Sequence, residues 1–215
     1  MAVAAPPKPR FRGRIHQVAF FVSIPAGLLL VILANGPAAT AVAAVYAASL
    51  AAVFGSSATY HLGRWTERAR LWMKRLDHSM IFVLIAASYT PVAALLLGGT
   101  WEAVLLSVVW AGAVVGVTLK LIRPDGLHFI GGTLYIVLGW LAVVALPQLL
   151  REMTVAEAIL MIVGGLLYTA GAIVLARRRP DPDPTTFGYH EVWHAFMVAA
   201  ASCHYAMILL LLRSS

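Results

Sequence analysis

Seven long apolar segments dominate this chain of 215 residues and limit what it can fold into. A helix that crosses a bilayer needs about 20 mostly apolar residues, and each segment has roughly that length. Hydrophobic residues make up 61% of the sequence and charged residues only 12%, about half the share that is typical of a soluble domain. We therefore predict an all-α bundle of seven transmembrane helices, at residues 16–35, 38–62, 75–97, 101–122, 128–147, 154–176 and 188–212.

The N-terminal residues combine a basic tail with the first apolar segment. This arrangement is also typical of a signal peptide, but the apolar segment is too long for one and further spans follow it. We therefore interpret it as a helix that the protein retains. The predicted organisation is a basic cytoplasmic tail at residues 1–15 and one seven-helix domain at residues 16–212.

The positive charges are distributed unevenly over the loops. The net charge of +7 could indicate a nucleic-acid partner, but the Lys and Arg residues lie in short segments between apolar runs, as the positive-inside rule describes. With alternating spans, 14 of the 16 fall on the side of the N-terminus. This predicts a cytoplasmic N-terminus, an external C-terminus and no nucleic-acid partner. The two exceptions are Arg151 and Arg213.

Ionisable side chains near one membrane face indicate a site. His61 ends the second predicted helix, Asp77 begins the third, and His190 and His194 begin the last. Charged or ionisable groups inside spans are costly and usually functional. Two histidines four residues apart share a helix face and suit two bonds to one ion. We predict a metal site with His61, His190 and His194 as ligands and zinc as the metal. Asp77 and Ser57, one turn before His61, are the candidate catalytic groups beside it.

The sequence allows two interpretations of Glu191. The string from His190 to His194 fits the H-E-x-x-H pattern of zinc proteases, in which the glutamate is a general base. Alternatively, Glu191 is a negative charge at a helix N-terminus, which the helix dipole favours.

For the other four histidines we expect structural roles and not metal binding. We expect His78 to point away from the face of Asp77, and His16 and His128 to lie at the membrane interface. His204 lies about 20 Å along the last helix from the start of the site. It either forms a hydrogen bond inside the bundle, which we favour, or lines an inner cavity.

Six motifs are spread over nearly the whole chain. They are Ser57-Ala58-Thr59-Tyr60-His61, Leu76-Asp77-His78-Ser79-Met80-Ile81, Ser88-Tyr89-Thr90-Pro91, Tyr135-Ile136-Val137-Leu138-Gly139-Trp140, His190-Glu191-Val192-Trp193-His194 and Cys203-His204-Tyr205. Together they resemble the motifs of the haemolysin III family, within the wider group of progestin and adipoQ receptors. The resemblance implies seven helices, an N-terminus in the cytoplasm, and zinc held by His61, His190 and His194. It also implies that Asp77 lies beside a water on the zinc and that Ser57 is a neighbour of the site.

The resemblance also gives two functional expectations. The wider group is similar to alkaline ceramidases, which implies a zinc-dependent hydrolase that cleaves an amide or ester bond of a membrane lipid. The bacterial branch is linked to membrane-lipid homeostasis, which implies a multi-pass protein of the bacterial inner membrane. The alternative is a non-enzymatic sensor of membrane state, in which a structural zinc joins the second and last helices and Asp77 or His78 is a fourth ligand.

Overall fold

A computed structural model of the chain describes residues 8–124 and 128–214. Within these ranges the elements are helices, apart from one isolated bridge between Asp183 and Phe187. Seven helical segments are long and apolar enough to cross a membrane, which confirms the predicted fold class. The elements are α1 (Arg14–Leu33), α2 (Gly36–Leu62), α3 (Glu67–Leu96), α4 (Gly99–Ile122), α5 (His128–Gly139), a 3₁₀ helix (Leu141–Ala145), α6 (Leu146–Glu152), α7 (Val155–Arg177) and α8 (Tyr189–Ser214).

The third helix begins at Glu67, eight residues before its predicted start at residue 75. The prediction followed hydropathy, which carries no information on helix caps. The Thr66 hydroxyl accepts a hydrogen bond from the Ala69 amide at 3.4 Å, and Glu67 lies in the first turn. Both features stabilise a helix N-terminus. The two extra turns are polar and carry the exposed Trp72, so they extend beyond the apolar part of the span.

The fifth span is not the single helix predicted at residues 128–147. The segment that could cross the membrane is Gly131–Glu152, and it is divided between α5, the 3₁₀ helix and α6. Pro147 in the first turn of α6 cannot donate a backbone hydrogen bond, so regular α-helical bonding cannot continue through this region. The Tyr89 hydroxyl of α3 compensates, since it donates to the Gly139 carbonyl and accepts from the Ala142 amide, both at 2.9 Å.

Helices that are neighbours in sequence pack together from α1 to α4, and α7 packs on α8. The last helix also contacts α1 and α3, which brings it beside the first half of the chain. Close approach depends on small residues: a Cβ at Gly116 of α4 would overlap the Phe82 ring of α3. The N-terminus of α8 therefore lies next to the start of α1 and the end of α2, where the predicted site residues meet.

Candidate metal centre

Three histidines from α2 and α8 converge at one point. One ring nitrogen from each of His61, His190 and His194 lies within 4.8 Å of the other two, so the group could hold a metal ion. The Nε2 atoms of His61 and His190 are 3.2 Å apart. Zinc bonds of 2.0–2.1 Å in a tetrahedral arrangement separate two ligand nitrogens by about 3.3 Å. The spacing of this pair therefore suits one shared zinc ion.

The surroundings of His194 also fit a metal ligand. Its side chain is 1% exposed, and in the described ranges neither ring nitrogen finds a hydrogen-bond partner. Buried polar atoms are nearly always satisfied, and an unsatisfied one requires an explanation such as a bound ion. A cation shared with His61 and His190 would satisfy one nitrogen of His194.

Asp77 of α3 lies beside the three histidines without belonging to their group. Its Oδ2 is 4.0 Å from His61 Nε2, and the residue is 6% exposed. Ser57, one turn before His61 on α2, is also buried and lies beside this carboxyl group. The structure thus brings together all five predicted site residues. Asp77 is near enough to act on a molecule bound at the metal position.

Glu191 is not a member of the three-histidine group and takes part in a separate contact. Its Oε1 lies 2.5 Å from the Nε of Arg12, and its Oε2 accepts a hydrogen bond from the Gly188 amide at 2.9 Å. The residue is fully buried. Both carboxylate oxygens are engaged at the first turn of α8, so the structure favours the helix-terminus interpretation over a general base.

The N-terminal segment at residues 8–13 covers this end of the bundle. Its Arg10 amide donates to the Thr185 carbonyl at 2.9 Å, and its Phe11 amide donates to the Thr186 carbonyl at 3.1 Å. The Lys8 ammonium contacts the His61 carbonyl oxygen. Partial desolvation, followed by the charges of Arg12 and Arg70, lowers the pKa of Lys8. The segment therefore brings several cations to the outer edge of the site.

His16 is buried within the bundle, since the residue is 2% exposed and its ring stacks on that of His194. The expected interfacial position did not include this contact with a candidate ligand. The helix of His16 passes very close to α2, since a Cβ at Gly13 would meet His61. The sequence contains a signal for this position: the buried residues of α1 are mostly small and recur every three or four positions. They are His16, Ala19, Ser23, Gly27 and Leu30.

The remaining histidines lie outside the three-ligand group. The backbone carbonyl of the partly buried His78 accepts a hydrogen bond from the Tyr135 hydroxyl at 2.8 Å. For His204 we predicted either a hydrogen bond inside the bundle or a position on an inner cavity, and the structure shows both. Its Nε2 lies 3.4 Å from the Met161 carbonyl oxygen, and the residue also lines a cavity of about 110 Å³. The side chain of His128 lies outside the described part of the chain.

Comparison with known proteins finds relatives along nearly the whole sequence. A family model described as haemolysin-III related matches residues 5–205. Hemolysin-3 of Bacillus cereus is 30% identical over 197 residues, which cover 90% of this chain and 87% of the relative. The hemolysin-3 homolog of Bacillus subtilis strain 168 is 29% identical over 197 residues, which cover 90% of this chain and 89% of the relative. This chain is therefore a multi-pass membrane protein of the haemolysin III family.

Proposed function

We propose that this protein is a zinc-dependent hydrolase that cleaves an amide or ester bond of a membrane lipid. The observation that carries the proposal is the convergence of three buried or partly buried histidine nitrogens beside the carboxyl group of Asp77. Catalytic zinc sites typically have three protein ligands and one position open to water or substrate. Among the residues that the structure describes, the candidate ligand group has three members, which supports an open position.

The proposed roles follow from the positions of the side chains. His61, His190 and His194 would hold the zinc, which polarises a carbonyl group and lowers the pKa of a coordinated water. Asp77 accepts a proton from the attacking water and transfers it to the leaving amine or alcohol. The new acyl C–O bond forms as the C–N or ester C–O bond breaks, so one water is consumed. Ser57, which lies beside the Asp77 carboxyl group, would help to orient it.

The family and the apolar surroundings support a lipid as the substrate. Seven spans leave little of the chain outside the bilayer, and the site lies at the ends of two of them. An amphiphile in one leaflet could present a bond near its headgroup at this depth. Both relatives are bacterial, which supports a bacterial membrane as the location. The proposed role in lipid homeostasis there rests on the family resemblance.

A structural zinc in a non-enzymatic sensor of membrane state is the alternative. The observation in its favour is the 4.0 Å separation of Asp77 Oδ2 from His61 Nε2, because a small movement would make Asp77 a fourth ligand. The two functions differ in whether the metal keeps an open position. A hydroxamate binds a metal only where a coordination position is open. If its addition changes the visible spectrum of the cobalt-substituted protein, the site has that open position.

The proposal is tested by metal content and lipid cleavage in detergent-purified protein. We expect about one zinc per chain by mass spectrometry and almost none in His190→Ala, because three ligands are needed for tight binding. Asp77→Asn should retain the zinc and lose cleavage of a panel of lipid amides and esters. Metal-free wild-type protein, or zinc-loaded protein that is inert on the whole panel, would contradict the hydrolase.

A further inference from the structure

The ring of His16 lies between two other rings at the start of α1. Its centroid is 3.7 Å from that of His194, and the two ring planes differ by only 3°. On another side, the Phe54 ring of α2 lies 5.2 Å away at 57°. Both neighbours are buried, so the ring of His16 is held closely in one orientation.

Burial of a histidine at this position costs free energy unless its ring makes a favourable contact. In the described parts of the chain neither of its ring nitrogens forms a hydrogen bond of ordinary geometry. Burial of a polar group without a partner costs about 1–3 kcal/mol on the scale of protein mutations. The parallel stack on the ring of His194 offsets part of this cost.

The stack excludes His16 as a ligand of the ion that His194 would hold. An ion bound by an imidazole nitrogen lies in the plane of that ring. Because the two rings are parallel and in van der Waals contact, such an ion would lie about 3.5 Å out of the plane of His16. A zinc–nitrogen bond requires about 2.0–2.1 Å. His16 therefore acts on His194 and not on the metal directly.

We infer that His16 is a positioning residue that fixes the ring plane of His194 and stabilises this ring in its metal-bound form. The inference rests on the metal site of the proposed function. A cation withdraws electron density from the imidazole that binds it, and the electron-rich face of a stacked neutral ring then interacts with it more favourably. The stack is thus more stabilising when the metal is bound, and this extra stabilisation raises the affinity for the metal.

The segment before α1 maintains this arrangement. Arg12 is paired with Glu191 of α8, which lies between His190 and His194 in sequence. Gly13 has a φ of 82°, a value that L side chains rarely adopt, and passes against the Cβ of His61. These two contacts fix the first turn of α1 to both helices that carry the candidate ligands. His16 follows within that turn, so its ring plane is set by the same contacts.

The test is zinc affinity of the full-length protein in detergent, measured by competition with a fluorescent chelator. We expect His16→Ala and His16→Asn, which lack the ring, to bind zinc about 10–100-fold more weakly, as other variants of residues behind metal ligands do. His16→Phe retains the stack and should bind within a few-fold of wild type. His204→Ala is the matched control, because it removes a partly buried histidine of the same helix far from the ligands and should not change the affinity.

A second readout separates positioning from general stability. In cobalt-substituted protein, the visible bands report ligand geometry, so His16→Ala should shift them and His204→Ala should not. Unchanged affinity and spectrum in both His16→Ala and His16→Asn would overturn the inference. Loss of metal in His16→Phe as complete as in His61→Ala would also overturn it, since His16 would then be a ligand. Absence of metal from the wild type would instead contradict the proposed function.

Discussion

The ion pair between Arg12 and Glu191 joins the N-terminal segment to the first turn of α8. The Glu191 side chain is 1% exposed and that of Arg12 is 21% exposed. In Arg12→Ala the carboxylate would remain buried with the Gly188 amide as its hydrogen-bond donor. We expect this substitution to destabilise the protein, because a buried charge loses its counter-ion.

The magnitude follows from the burial of the two groups. Removal of one partner of a fully buried pair costs about 3–5 kcal/mol. Arg12 is one-fifth exposed, and the Gly188 amide and the helix dipole still stabilise the carboxylate, so we expect about 2 kcal/mol. For a chain of this size each kcal/mol corresponds to about 2–4 °C, which gives a decrease of Tm of about 4–8 °C.

The assay is thermal unfolding of the detergent-purified protein, followed by circular dichroism. Arg14→Ala is the control, since this exposed arginine two residues further along forms its hydrogen bond with Gln17 on the surface. In a Glu191→Gln background, Arg12→Ala should cost much less, because no buried charge is left without a partner. A Tm of Arg12→Ala equal to that of Arg14→Ala would refute the reasoning, as would equal costs of Arg12→Ala in the two backgrounds.

Three further predictions concern packing and topology. Gly164→Ala should destabilise the protein by about 1–3 kcal/mol, because the added Cβ would overlap the His204 ring. Gly165→Ala should be tolerated, since the nearest neighbour of its added Cβ is 3.9 Å away. The Tm values of the two variants test this difference. Tyr89→Phe should lower the Tm by about 2–12 °C, because the broken fifth span loses two hydrogen bonds worth about 1–3 kcal/mol. An alkaline phosphatase fused to the C-terminus in bacterial cells should be active, because the charge distribution predicts that this end lies outside the cytoplasm.

The number of spans was predictable because each is a local property of the sequence. Hydropathy over about 20 residues identifies a membrane helix without knowledge of its neighbours. The grouping of His61, His190 and His194 was predictable for a related reason: each lies at the same end of its span, so alternation of the spans brings all three to one depth. Their 4.8 Å grouping then requires only that α2 and α8 be adjacent.

The early start of α3 is a local feature, whereas the other features that sequence analysis missed depend on contacts between distant segments. The burial of His16 requires α8 to lie beside α1, and the partner of Glu191 is 179 residues away at Arg12. The break in the fifth span is stabilised by Tyr89, about 50 residues earlier. No local pattern specifies these pairs, although the small residues at one face of α1 indicate which face is buried.

The position of the candidate metal centre has a consequence for folding of the bundle. Its ligands come from the second and the last spans, so a metal ion can bind all three histidines only after α8 has packed against the first half of the chain. A ligand that binds only the assembled state stabilises that state by mass action. The pair of Arg12 with Glu191 and the stack of His16 on His194 draw α8 to α1 at the same end of the bundle. A metal ion bound at this centre would therefore favour the same helix arrangement as these two contacts do.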